Sequence, residues 1–365
     1  MSLTSTTGKP PITVLLVDDS AVALALLARV LATSPEIKVV GTARSGREAL
    51  EMIPRLQPAV VCTDLHMPDV DGLELTRQIV SLYPRPVLVI SSAARDEGRH
   101  NVFRLLEAGA LDVLPKPVGS SPEDYDRMAR ELISKIKILA GVYVFRRRAI
   151  DAPEPLPPAP RLAVAAASAR PRIVVVGAST GGPQALRCIF SNLPGDFPLP
   201  VICVQHITCG FLPGLIDWLQ TQSPLSIRVA VSGELPKAGT IYLPPEDHHL
   251  EIGADGRFVA TTRDLNNGHR PSVTVSMTSA VRCFGSGVVG VLLSGMGRDG
   301  ADGMLAIANA GGVTIAQDER SSTVFGMPKQ AIELGAARYI LNPEEIARQL
   351  LRIVREAPQD ESQLT

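Results

Sequence analysis

The chain has 365 residues, of which 45% are hydrophobic and only 4% aromatic, and its 36 lysines and arginines nearly balance 37 aspartates and glutamates. That length calls for two domains with sizeable cores. The balanced charge offers no field for nucleic acid, the scarcity of rings excludes a base-stacking platform, and no apolar run approaches the roughly 18 residues of a membrane span.

The amino terminus, "MSLTSTTGKPPITVLLVDDS", carries too short an apolar core for a signal peptide. The five cysteines (Cys62, Cys188, Cys203, Cys209 and Cys283) form no C-x-x-C pair and are expected as free thiols, which fits a cytoplasmic location.

Short apolar runs then alternate with helical patterns. "ITVLLVD" precedes a helix over 21–32, "KVVGTA" precedes "GREALEMIPRL", and "AVVCTD" precedes "DGLELTRQIVSLYP". "PVLVISS" leads to a helix ending near "LLEAGA", and "DVLPK" to "EDYDRMARELISKIKIL". Continuous apolar strands mean that helices cover both sheet faces, so a parallel, doubly wound (βα)5 domain is expected over 11–140. Five prolines between 153 and 160 and an alanine-rich tract predict a semi-rigid linker over 141–171.

A second, larger α/β domain is expected over 172–357. Its predicted strands are "RIVVVGAS", "PVICVQH", "SIRVAV", "TIYLPP", "GVVGVLLSG" and "GVTIAQ". Helical patterns fall near 183–192, 211–222, 273–284, 300–310 and 328–335, and Asp255-Gly256 predicts a hairpin turn. Both sheets are expected to be mostly parallel.

Ligands of such sheets sit at the carboxyl ends of the strands. In the first domain those ends hold Asp18, Asp19, Asp64, Ser91 with Ser92, and Lys116 before Pro117. Three converging carboxylates repel unless a cation neutralises them, and oxygen-only ligands suit Mg2+. The lysine and a hydroxyl could hold an anion on one of the carboxylates.

In the second domain, "VVVGASTGGP" satisfies G-x-S-x-G, the pattern of a nucleophilic serine on a tight turn, but also suits a phosphate-cradling loop or a plain one. A serine needs a base and an acid to orient that base. His206 ends the next strand; His248 and His249 are expected in a loop with at least one facing water, and His269 is a weaker base candidate that could line a cleft. Asp299 is the first acid after "VVGVLLSG", in a turn that Gly295, Gly297 and Gly300 should permit, with the Met296 N–H beside the cleft. Ser179 is expected to start a helix, whose amides, with Thr180 and Gly181, could face an oxyanion. The order Ser179, His206, Asp299 differs from that of the α/β-hydrolases.

The motifs "LLVDDSA", "VCTDLHMPDVDGLEL", "VLVISSAA" and "DVLPKPV" resemble a response-regulator receiver domain. That resemblance implies that Asp64 accepts a phosphoryl group from a histidine kinase. It also implies that Asp18, Asp19, Asp64 and the His66 backbone carbonyl bind Mg2+, and that Ser91 and Lys116 contact the phosphoryl group. Many receivers carry an aromatic residue where this chain has Val113.

The motifs "VVVGASTGGPQAL", "VICVQHI", "GHRPSVTV", "LLSGMGRDGADGMLAI" and "TIAQDERSSTVFGMPKQAI" resemble the catalytic domain of CheB-type chemotaxis protein-glutamate methylesterases. The resemblance implies Ser179 as nucleophile, His206 as general base, Asp299 as orienting acid, the Met296 N–H as oxyanion donor and Thr180 as a neighbour. It implies hydrolysis of glutamate γ-methyl esters on chemoreceptors, deamidation of receptor glutamines, and a resting receiver that covers the catalytic cleft until phosphorylated. No cofactor is expected for the ester reaction, no nucleic-acid partner and no membrane insertion, and a monomer is expected. The sequence departs from the family at Cys209 and Leu212, after the histidine, and at Thr274, where an acid is usual. Rival readings are a receiver gating a nucleotide- or DNA-binding output, against which the missing G-x-G-x-x-G and basic helix argue, and an esterase-like scaffold without turnover.

Overall fold

The computed structural model describes residues 10–91, 99–116, 122–142, 170–266 and 268–356. The chain divides into two compact units, one within residues 1–153 and one within 154–365. Most of the expected linker, together with Ser92 and Pro117, lies outside the described residues.

The first unit alternates strictly: β1 (Ile12–Val17), α1 (Ala21–Leu31), β2 (Ile37–Ala43), α2 (Gly46–Leu56), β3 (Val60–Thr63), α3 (Gly72–Leu82), β4 (Val87–Ser91), α4 (Arg99–Ala108), β5 (Asp112–Pro115) and α5 (Pro122–Leu139). The sheet runs β2-β1-β3-β4-β5, with every pairing parallel. Ser20, Ser45 and Asp71 start α1, α2 and α3 by accepting the N–H groups of Ala23, Glu48 and Glu74, which fixes where the chain leaves the strand ends. Strands β3 and β4 are buried along their whole length, as continuous apolar runs between two helical layers must be.

The second unit contains β6 (Ile173–Ala178), α6 (Gly182–Ser191), β7 (Val201–Gln205), α7 (Leu212–Gln220), β8 (Ser226–Val229), β9 (Thr240–Leu243), β10 (His249–Ile252) and β11 (Phe258–Thr261). After these come α8 (Val273–Phe284), β12 (Val288–Leu292), α9 (Ala301–Asn309), β13 (Val313–Gln317), α10 (Met327–Glu333), β14 (Tyr339–Leu341) and α11 (Pro343–Arg355). Seven strands form one sheet, β14-β13-β12-β6-β7-β9-β8, whose pairings are all parallel. Strands β10 and β11 form a separate antiparallel hairpin. The core between sheet and helices includes Val175, Ile202, Tyr242, Phe258, Met277 and Met304, all fully buried. Each such side chain contributes about 1.5–3 kcal/mol by leaving water.

From β6 the chain first builds toward β7 and then returns to lay β12 on the other side. The sheet therefore reverses its winding between β6 and β12, where a doubly wound fold opens a crevice at its carboxyl edge. The first unit reverses in the same way between β1 and β3. Among the described residues, no helix is long and apolar enough to cross a membrane.

Candidate functional site

The crevice of the first unit gathers its acids. Asp18 follows β1 and Asp64 follows β3, both buried, while Asp19 is exposed. One carboxylate oxygen from each of the three lies within 4.8 Å of the others. Lys116 Nζ stands 2.6 Å from Asp18 Oδ2 and 2.9 Å from Asp64 Oδ2. Burial raises the Asp64 carboxyl above its ordinary range, Lys116 opposes that, and Asp18 adds to it. Two carboxylates sharing one lysine are short of positive charge, and an all-oxygen donor set on that edge fits a hard divalent cation. Ser91 ends β4, fully buried, and its carbonyl accepts the Lys116 N–H at 3.1 Å. His66 lines an adjoining cleft of about 640 Å³ with Asp19, Met67 and Arg104. Val113 is buried within β5.

In the second unit, three adjacent strands deliver the candidates. Ala178 of β6 pairs with Gln205 of β7, so the next residues, Ser179 and His206, leave the sheet side by side. The His206 N–H bonds to the Ala178 carbonyl at 2.9 Å, and the Ser179 N–H bonds to the Ser294 carbonyl, beyond β12, at 2.9 Å. Ser294 Oγ donates to the Thr180 carbonyl at 2.7 Å, so the serine loop is clamped from the β12 side as well. Helix α6 begins only at Gly182, which corrects the expectation that Ser179 starts it. The reason is visible in the bonding: the Ser179 N–H belongs to the sheet edge, and three residues of turn precede the helix.

Asp299 is 1% exposed and meets four donors. His206 Nε2 lies 2.9 Å from Oδ2, Ser272 Oγ 2.7 Å from Oδ1, and the Val273 and Thr274 N–H groups 2.8 and 3.1 Å away. Ser272 is the N-cap of α8, so the acid sits on that helix's positive end. Burial alone would raise the Asp299 carboxyl, but the bonds from His206, Ser272 and Val273 outweigh it and hold the group well below the usual carboxylate range. A carboxylate partner at Nε2 puts the imidazole proton there and leaves Nδ1 with the lone pair. Nδ1 is buried and has no hydrogen-bond partner among the described residues.

His269 stacks on the other face of this arrangement: its ring centroid lies 4.0 Å from that of His206, with 6° between the planes. The stack fixes the imidazole's rotation. His249, expected in a loop, instead opens β10 and is buried, its Nδ1 accepting the Ser272 N–H at 3.2 Å. His248 is half-buried and keeps part of its surface toward water. His249 thus serves the frame around α8, whereas His248 Nδ1 lies 2.7 Å from the Glu246 carbonyl.

Gly297 and Gly300 take positive φ (+86° and +89°) as a tight turn requires, whereas Gly295 does not. Gly295 is needed for close approach: a Cβ there would lie 2.3 Å from Met327 Sδ and 2.7 Å from Ser179 Cβ. The Met296 loop thus abuts the serine, and Met296 itself is 47% exposed. Gly295→Ala is expected to cost about 1–3 kcal/mol by overpacking. The chain's one tryptophan, Trp218, is buried in this unit, so denaturant unfolding read by its fluorescence checks this; an unchanged midpoint would contradict it.

The departing positions have local roles. Leu212 opens α7, whose N–H, with that of Gly210, is bonded by Glu246 Oε1. The Cys209 thiol donates to Glu246 Oε2 at 3.2 Å, and burial together with that carboxylate raises the thiol above its ordinary range. Thr274 Oγ1 accepts the Gly300 N–H at 2.8 Å, bonding the start of α9 without adding charge beside Asp299. All five cysteines are free.

The CheB methylesterase family model matches residues 174–350, and that of the response regulator receiver domain matches residues 14–123. A protein-glutamate methylesterase/protein-glutamine glutaminase of Syntrophus aciditrophicus is 42% identical over 94% of this chain and 98% of its own. One from Myxococcus xanthus is 40% identical over 94% of this chain and 98% of its own. The solved CheB methylesterase catalytic domain of Thermotoga maritima is 39% identical, with a TM-score of 0.50, and covers 51% of this chain and 100% of its own.

Proposed function

The chain belongs to the CheB methylesterase family with a receiver domain in front, and on that premise we propose that Ser179, His206 and Asp299 hydrolyse glutamate γ-methyl esters of chemoreceptors under the control of phosphorylation at Asp64. The observation that carries the site assignment is the convergence of β6, β7 and β12, which supports a serine beside a histidine whose far nitrogen is bonded to a buried acid at 2.9 Å.

Ser179 Oγ attacks the ester carbonyl and its proton passes to His206 Nδ1. Asp299 stabilises the imidazolium that results. The Met296 N–H donates to the oxyanion, an interaction worth roughly a hundredfold or more in rate in comparable sites. His206 then returns the proton to the departing methoxide, releasing methanol and leaving a glutamyl ester on Ser179. Water attacks that ester, giving its proton to His206, which passes it to Ser179 Oγ as the γ-carboxylate leaves. A glutamine side chain in the same position loses ammonia instead of methanol, so deamidation uses the same groups with a poorer leaving group. The substrate chemistry and a kinase donor both point to action in the cytoplasm.

In the receiver, Asp64 takes the phosphoryl group from a histidine kinase, while Lys116 and the Ser91 hydroxyl hold its oxygens. Asp18, Asp19, Asp64 and the His66 carbonyl would hold Mg2+, which when bound offsets the negative charge of the acids and the incoming phosphoryl group. The new charge, about two negative units, biases the receiver toward a state that permits faster ester hydrolysis.

Asp64→Asn is expected to remove both phosphorylation and its stimulation of methanol release, leaving the basal rate. Retained stimulation by a phosphoryl donor would overturn the assignment. The same variant should be more heat-stable in Mg2+-free buffer. A carboxyl whose folded pKa is raised costs the native state stability once pH exceeds its ordinary value near 4, and that cost is complete above the raised value. Calorimetry at pH 7 in chelator checks the sign, and a lower midpoint for the variant would contradict it.

A further inference from the structure

We infer that Gln205 is a positioning residue for the hydrolytic reaction, its side-chain amide tying together the backbone of the nucleophile and the backbone of the base. The inference rests on the assignment of Ser179 and His206 above. Gln205 ends β7 and is 4% exposed. Its Nε2 donates to the Ser179 carbonyl at 2.9 Å and to the His206 carbonyl at 2.9 Å. Those two bonds use both protons of the amide, so its orientation is fixed.

The other end of the amide shows that the donors are what hold it. Oε1 is buried without a hydrogen-bond partner among the described residues, which is unfavourable. An apolar side chain of equal length would fill this place in an otherwise apolar strand without that cost. The surroundings are also shaped to the amide: a Cβ on Gly182 would lie 2.2 Å from Oε1. The Ser179 carbonyl accepts a second bond, from the Gly182 N–H at 2.7 Å, so it is fixed by α6 and by Gln205 together. Each carbonyl belongs to the peptide plane that leaves its Cα, so pinning it restrains the backbone from which the side chain projects. Holding both carbonyls therefore limits how far Ser179 Oγ and the imidazole can swing apart, which matters because a misplacement of about 1 Å can cost a hundredfold in rate.

The test uses the full chain with Gln205→Met, which keeps length and loses both donors, and Gln205→Glu, which keeps shape and at neutral pH offers no donor. Three quantities are read: kcat and KM for methanol release from methylated receptors, the rate of Ser179 labelling by a fluorophosphonate, and the unfolding midpoint by Trp218 fluorescence. Both variants are expected to lose tenfold or more in kcat and in labelling rate, with KM within twofold. Wild-type kcat and labelling in either folded variant would overturn the inference, as would a raised KM at unchanged kcat or a lowered midpoint at unchanged kcat. Should both variants fail to fold, the wild-type chain decides: slow hydrogen exchange of the Gln205 side-chain amide supports the tie, and exchange at the rate of an exposed glutamine overturns it. Ser179→Ala runs alongside. If it keeps full activity, the catalytic assignment itself fails; if it is inactive while the Gln205 variants match wild type, only the positioning role falls.

Discussion

Ser179→Ala in the full chain is expected to slow methanol release from methylated chemoreceptors by roughly a thousandfold or more, with the fold intact. The serine is nearly buried, but the bonds that hold it run through its backbone, to Ser294, Gly182 and Gln205. Removing one oxygen disturbs none of them. The unfolding midpoint read by Trp218 should therefore stay close to wild type while the chemistry stops. Residual activity should come only from binding and oxyanion stabilisation. A variant that is folded and turns over at the wild-type rate would remove Ser179 from the reaction. Fluorophosphonate labelling separates nucleophile from bystander: wild type should be labelled, and Ser179→Ala and His206→Ala should not.

Asp299→Asn should rival it, because one carboxylate does two jobs. In catalysis it fixes the proton on His206 Nε2 so that Nδ1 can accept the serine proton. An amide can instead donate to Nε2 and reverse the tautomer, a change worth about four orders of magnitude in a comparable triad. In stability it is the acceptor for Ser272 Oγ and two N–H groups at the start of α8, and leaving those buried donors badly matched costs on the order of 3 kcal/mol. The pH dependence follows from the lowered carboxyl. Its contribution is fully present above the ordinary value near 4 and is lost as pH falls from there toward the lower native value. The wild-type unfolding free energy, read by Trp218, should therefore fall through this acid window more steeply than that of the variant. Parallel curves would show that Asp299 is not held as a carboxylate by these bonds.

Both alternating patterns were legible in the sequence because continuous apolar runs admit little besides parallel strands covered on two faces. Strand-end placement likewise pointed to Asp18, Asp64 and Lys116, and to Ser179 and His206. Less legible were the residues that act at a distance along the chain. Ser272 caps a helix and bonds the acid; a serine just before a helical pattern was a readable signal for the cap, but not for the acid 27 residues later. Ser294 and Gln205 act from neighbouring strands, and only the pairing register reveals them. His269 reaches His206 from the segment between β11 and α8, which no periodicity describes. Strand β14 has three residues, too few for a pattern, whereas α11 announced itself through the Asn342 and Glu345 capping box and could have been found. The helix expected near 183–192 is present as α6, and only the placement of Ser179 at its start was off, because local glycine content marks a turn without saying which amides the sheet will claim.

The most direct measurement is methanol release from methylated chemoreceptors by the full chain, with and without a small phosphoryl donor and Mg2+. The proposal predicts hydrolysis in both conditions and a faster rate with the donor, the increase vanishing in Asp64→Asn. No methanol in either condition from a folded, labelled-serine-competent chain would contradict it.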